Sequence, residues 1–284
     1  MRTSFLLLLL LATAASSALA QGNSPQEQAH LDGYVHFLTM SLAELKELIS
    51  KAESGDAEAQ YWIAIDCDSG LRLPDDYFGK SEEWLKKSAE GGYAPAQREY
   101  GLRMAHKDPP AGEHWLLAAA QQGDAEAEMW LGAATEDSWF GTTDLRSAMK
   151  WYRMAAEEGQ VDAEMLLGNR YEMGHGVEQD YAKAAEWYRK AAEHVLPNSP
   201  GVSEARYHLG QLYVDGHGVP QDYVRAYFWF RLIGPKEYLD KIIPYMTPEE
   251  IAQAEELARR WRQEHHLPAE IMRAYHIVEK DEPY

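Results

Sequence analysis

Apolar residues recur along most of the chain at helical spacings, and the stripes they form come in pairs. Ala163, Leu167 and Tyr171 stand four residues apart with Gly168 beside them, which predicts a helix with one point of close approach for a neighbour. Downstream, Ala184, Trp187, Tyr188, Ala191 and Ala192 follow the i, i+3, i+4, i+7, i+8 order of a broad apolar helical face. Between the two lies an octet, GHGVEQDY at Gly174–Tyr181, which returns with one change as GHGVPQDY at Gly216–Tyr223. Gly174 or Gly176 supplies the left-handed residue that ends the first helix, Val177 tucks beneath the turn, and Asp180 stands where a carboxylate caps the second helix. The octet therefore predicts a helix-to-helix turn. A phosphate loop would need a preceding strand and a Lys-Ser/Thr continuation, and the sequence has neither.

The pair of stripes is one copy of a repeat. Trp84, Trp115, Trp151, Trp187 and Trp229 share a W-aromatic-x-x-A-A context, in places loosely, at intervals of 31, 36, 36 and 42 residues. A second series, Ala59, Ala96, Ala127, Ala163 and Ala205, precedes them by 25, 19, 24, 24 and 24 residues. Two series locked in phase over five copies predict five helix pairs.

The motifs A-x-x-x-L-G-x-x-Y, G-x-G-V-x-x-D and A-x-x-W-Y-x-x-A-A, nearly complete over Ala163–Ala192 and Ala205–Trp229, resemble the Sel1-like repeat, a relative of the tetratricopeptide repeat. The resemblance spans roughly Gly55 to Pro235. The Trp115 copy lacks five residues of the turn, the Ala59 and Ala127 copies lack the glycine pair, and HVLPNSPGV is inserted before the last copy. The resemblance implies an all-α, right-handed α-solenoid that serves as a protein-binding scaffold. Outside the repeats, Ser41 to Glu44 and Thr247 to Glu250 are capping boxes, the second with Pro248 at the first helical position and Trp261 on the apolar side. The expected organisation is a signal over 1–20, an N-terminal segment over 21–40, a capping helix over 41–54, repeats over 55–235, and C-terminal capping helices with a tail over 236–284.

Charge and the N-terminus place the protein. Residues 1–20 carry Arg2, a leucine run from Leu6 to Leu11 and Ala18-Leu19-Ala20, which reads as a secretory signal cleaved between Ala20 and Gln21. The expected destination is the periplasm, with secretion as the alternative, and without stable membrane insertion after cleavage. Losing Arg2 leaves 26 of the 27 basic residues against 46 acidic ones, a net charge of −20. A field of that sign works against nucleic acid and favours a protein partner with a basic or mixed surface. Cys67 is the single cysteine, so no intrachain disulfide forms.

Candidate chemistry is sparse. His175 and His217 occupy equivalent turns, but helix layers pack about 8–10 Å apart while zinc ligands converge at about 2 Å, so no metal site is expected. DCDSG at Asp66–Gly70 imitates an EF-hand start but has Leu71 and Tyr77 where Gly and Glu belong, and reads instead as a polar interhelix turn. No hydrolase or metalloprotease signature appears, so no catalytic residue and no cofactor is expected. Relatives credited with β-lactam chemistry are cysteine-rich, and this chain is not. The less favoured alternative is a hydrolase using groove carboxylates.

The binding reading rests on the first helix of each copy. The position two before the repeat leucine faces away from the core stripe at 100° per residue, and it holds Tyr61, Arg98, Met129, Met165 and Tyr207. Glu126, Glu136, Asp137, Asn169, Glu172, Gln211 and Asp215 share that face, as does Glu58. In tetratricopeptide-like solenoids it lines the concave groove. Tyr61, Met129, Met165 and Tyr207 are expected as apolar anchors ringed by acids. The resemblance extends the reading to an envelope adaptor or stress-response factor and, more narrowly, to an immunity protein against a phospholipase-type antibacterial effector.

Overall fold

A computed structural model of the chain describes residues 40–69, 79–141, 143–195 and 199–265, together with the isolated positions 33, 36, 37, 73 and 77. The signal and its cleavage residues Ala20 and Gln21 lie outside the described residues, as does the tail after His265. Among the described residues there is no strand, and thirteen α-helices follow one another. They are α1 (Leu42–Glu53), α2 (Ala57–Ser69), α3 (Ser81–Glu90), α4 (Ala94–Ala105), α5 (Pro109–Ala120), α6 (Ala125–Glu136), α7 (Leu145–Glu157), α8 (Val161–Met173), α9 (Tyr181–Glu193), α10 (Pro200–Asp215), α11 (Tyr223–Ile233), α12 (Lys236–Ile242) and α13 (Pro248–Glu264).

The helices pair as the two series require: α2 with α3, α4 with α5, α6 with α7, α8 with α9 and α10 with α11. The chain divides into two compact units, one within Pro25–Gln160 and one within Val161–Tyr284. In the N-terminal unit Leu45, Trp62, Ile63, Leu85 and Ala89 form one buried cluster, and Leu116, Ala119, Ala127 and Leu131 another. In the C-terminal unit Tyr188, Val202, Leu209, Tyr227 and Phe230 lie in one core, and α13 packs on α11.

The last three pairs are each locked by a glycine of the first helix and an aromatic ring of the second. A Cβ on Gly132 would lie 2.6 Å from the Tyr152 ring, one on Gly168 2.5 Å from Tyr188, and one on Gly210 2.5 Å from Phe230. Where the ring carries a hydroxyl, a glutamate of the first helix receives it: Tyr152 donates to Glu136 at 2.8 Å and Tyr188 to Glu172 at 2.6 Å. Phe230 has no hydroxyl, and the position equivalent to those glutamates holds Val214.

The octets form the turns expected of them. Gly174 and Gly176 have φ of 69° and 77°, and Gly216 and Gly218 both 69°. Asp180 and Asp222 accept the N–H groups of Lys183 and Arg225 at 3.0 and 2.9 Å, capping α9 and α11. The glutamine of the octet clamps the preceding helix: Gln179 Nε2 donates to the Glu172 carbonyl at 2.8 Å, and Gln221 Nε2 to that of Val214 at 2.7 Å. Each satisfies a carbonyl that the helix end leaves without an intrahelical partner. Both capping boxes are formed, with Ser41 and Thr247 as N-caps.

One expected turn is different. Asp66 and Cys67 lie inside α2, which runs on to Ser69, and both are buried. Asp66 accepts the Leu73 N–H at 3.0 Å, so the carboxylate fastens the segment that follows the helix.

Candidate protein-binding face

The first helices carry the candidate residues, and the two units treat them differently. In the N-terminal unit Tyr61 is only 5% exposed, packed edge-on to Trp62 and tilted against Tyr93 at 5.3 Å. Burial pushes its hydroxyl up to about 12. Met129 is likewise buried, at 7% exposure. Arg98 is mostly buried and bonds Asp124 at 2.5 Å and Glu126 at 3.1 Å. Burial disfavours its charge, yet the two carboxylates hold the guanidinium above its ordinary value. Tyr61 and Met129 are therefore not the solvated residues that helical periodicity predicts, and Glu126 is already engaged. The physical reason lies in the neighbouring copy: Tyr93, in the turn before α4, covers Tyr61, and Asp124, in the turn before α6, receives Arg98.

In the C-terminal unit the same face stays half open. Met165 on α8 and Tyr207 on α10 are half-buried against the core. Tyr207 packs against Tyr238 at 5.0 Å, Phe230 at 6.0 Å and His208 at 5.6 Å between ring centroids. His208 stacks on Tyr188 at 5.0 Å, and its Nδ1 lies 3.2 Å from Glu172. Burial alone would raise the Glu172 carboxyl, but hydrogen bonds from His208 and Tyr188 hold it below the usual value. Glu172 is thus the hub of a row that runs from α8 through the Tyr188 ring of α9 to α10 and α12. Asn169 and Gln211 are half-buried, and Asn169 accepts from Arg170 at 2.6 Å. Asp215 ends α10 in an exposed position, as Asp137 does after α6, whereas Glu136 is tied to Tyr152.

Three contributors were not found from the pattern of single helices: Tyr93, His208 and Tyr238. Tyr93 and Tyr238 lie outside the first-helix stripe. His208 adjoins Tyr207 and is recognised only once Glu172 is known to face it. Among the described residues no group of three His, Cys, Asp or Glu side chains stands together as a metal ion would require, and no helix is long and apolar enough to cross a membrane.

The model of the Sel1 repeat family matches residues 57–93, 96–124, 125–160, 161–194 and 203–233. The chain belongs to the Sel1 repeat family. The matched segments reproduce the five copies marked by the alanine and tryptophan series. The fold is similar to that of a Sel1 repeat protein from Oxalobacter formigenes, with a TM-score of 0.61 and 27% identity over 71% of this chain and 59% of that one. It is also similar to c5321, a protective antigen of uropathogenic Escherichia coli displaying an SLR fold, with a TM-score of 0.50 and 24% identity over 84% of this chain and 60% of that one. The Sel1 chain thus spans about three fifths of the length of these two structures. No curated protein matches it. The fold class is the all-α solenoid of Sel1 repeats, and proteins built from these repeats are generally protein-interaction scaffolds.

Proposed function

We propose that this chain is a non-catalytic protein-binding scaffold of the cell envelope that uses the first-helix face of its Sel1 repeats. The observation that carries the reading is the half-open row of Met165, Tyr207 and Tyr238 beside Glu172, Gln211 and Asp215 in the C-terminal unit. Half-buried aromatic and methionine side chains are already held in place, so a partner desolvates them at little cost in side-chain entropy. The His208–Glu172 pair, the arrangement nearest to acid–base machinery on this face, holds the Tyr188 hydroxyl and ring. That structural use supports binding over hydrolysis.

The partner of this reading has a basic or mixed surface. Exposed Asp215 steers it, and the half-open row anchors it. The signal read over residues 1–20 supports an encounter in the periplasm, with secretion as the alternative. The narrower reading is an immunity role that neutralises a phospholipase-type effector, and the broader one is an envelope adaptor. The test is binding kinetics with the partner recovered from the envelope: Tyr207→Ala speeds dissociation, and Asp215→Lys slows association, most at low salt. Unchanged rates in both variants, with helicity intact, refute this face as the interface. Protection from a co-expressed phospholipase effector tests the immunity role.

A further inference from the structure

The residue that follows the marker alanine of each first helix occupies one buried or half-buried position, which the five copies fill with glutamine, glutamate or arginine. Gln60 donates its amide to the Ala52 carbonyl at 3.0 Å, and Gln97 to the Ala89 carbonyl at 3.2 Å. Arg206 donates to Ala192 at 3.0 Å. In these three copies the position holds a donor, which adds a hydrogen bond to a carbonyl at the end of the preceding helix. A second contact comes from the residue seven after the marker tryptophan. Gln122 donates to Gln97 Oε1 at 2.7 Å, and His194 Nε2 lies 2.9 Å from Glu164 Oε2. In the α6–α7 copy the same two positions hold Glu128 and Glu158. Amide meets amide in one copy and acid meets imidazole in another, but here acid faces acid.

Glu128 is 2% exposed, and its Oε2 has no hydrogen-bond partner. The register sets it toward the Ala120 carbonyl, which already accepts the Gly123 N–H at 2.9 Å; a carboxylic acid can donate to its second lone pair, whereas an ionised carboxylate is repelled. The charged groups that act on it are Glu158, exposed at the end of α7, and Asp124 at the N-cap of α6. Arg98 of α4, the nearby cation, is spent on Asp124 and Glu126. The last turns of α5, Leu116–Ala120, bring no ionisable side chain.

We propose that Glu128 is a proton-operated latch, which fastens α6 to the end of α5 and beneath Glu158 only while the carboxyl carries its proton. The side chain next along α6 is Met129, so the latch lies under the first-helix face. Burial first, then Glu158 and Asp124, pushes the Glu128 carboxyl up to about 7. For an acid shifted upward the sign is fixed. The stabilising contact is complete below the ordinary glutamate value, is lost as pH rises from there to about 7, and stays lost above.

The test is hydrogen exchange of the mature chain over residues 125–160, corrected for intrinsic rates, between pH 5 and pH 8, with thermal midpoints as a second readout. The wild type is expected to open roughly forty-fold more at pH 7 than at pH 5. Glu128→Gln restores the amide of Gln97 and is expected to be nearly flat with pH and more protected than wild type at pH 8. Gln97→Glu is expected to import the slope into residues 94–124. A flat wild type, an unaltered slope in Glu128→Gln, or no new slope in Gln97→Glu overturns the latch.

Discussion

Adding one methyl group at Gly168 tests the packing that joins the helices of a pair. A Cβ there would sit 2.5 Å from Tyr188 Cδ1, 2.6 Å from Cε1 and 2.9 Å from Cγ, well inside ordinary contact. The Tyr188 ring is fully buried, stacked on His208 and bonded to Glu172, so it has no free direction of retreat. Overpacking a well-filled core costs about 1–3 kcal/mol, whereas replacing glycine by alanine inside a helix returns about 1 kcal/mol. Gly168→Ala is therefore expected to destabilise the C-terminal unit by up to about 2 kcal/mol, with the overpacking term winning. The chain contains its own compensated version: the equivalent positions of the first copy are Ala64 and Leu85, both buried in one cluster. Tyr188→Leu alone loses the ring and its hydroxyl bond, but in the double variant Gly168→Ala/Tyr188→Leu the clash is relieved. The two substitutions are thus expected to cost less together than the sum of their separate costs. Urea unfolding, analysed with a nearest-neighbour repeat description, measures all four corners of the cycle. A neutral or stabilising Gly168→Ala, or strict additivity in the cycle, refutes the argument.

Other consequences are as direct. Gly176→Val forces a β-branched residue to φ 77° and is expected to cost roughly 1 kcal/mol or more in the same unfolding assay, while exposed His175→Ala is neutral. Gln179→Ala leaves the Glu172 carbonyl without its amide clamp and is expected to cost about 0.5–1.5 kcal/mol, with Gln221→Ala matching it in the next octet. Glu172 titrates below its ordinary value of 4.5, so the stability it contributes is present above that value and lost as pH falls through the lowered one. Glu172→Gln is expected to flatten that acid-side loss, as measured by thermal midpoints between pH 5 and pH 3.

The elements were legible because a repeat states its pattern five times. Glycine beside the Leu167 stripe, the W-aromatic pair and the glycine-rich octet each map onto an observed feature: Gly168 against Tyr188, Trp187 under the Lys190 ammonium, and Gly174 and Gly176 at positive φ. What escaped is what one helix cannot report about its neighbours. Periodicity puts Tyr61 and Met129 opposite the core stripe, but a stacked copy covers that flank, and Tyr93 arrives from a turn that carries no helical signal. The part-buried polar pairs Gln97–Gln122 and Glu164–His194 span 25 and 30 residues, beyond any local window. They emerge only when copies are laid in register and the same two positions are seen to change together. Asp66 misled for the opposite reason, since its short acidic motif suggests a turn while the apolar residues before it carry the helix through.

Photo-crosslinking from single positions tests the binding face most directly. A photoreactive residue at Asn169 or Gln211 lies on the first-helix face of the C-terminal unit, and one at Glu186 or Lys190 lies on an exposed flank of a second helix. In intact cells the account predicts one discrete crosslinked partner from Asn169 and Gln211, weakened by Tyr207→Ala, and none from Glu186 and Lys190. A partner captured from Glu186 or Lys190 but not from the first-helix positions contradicts it.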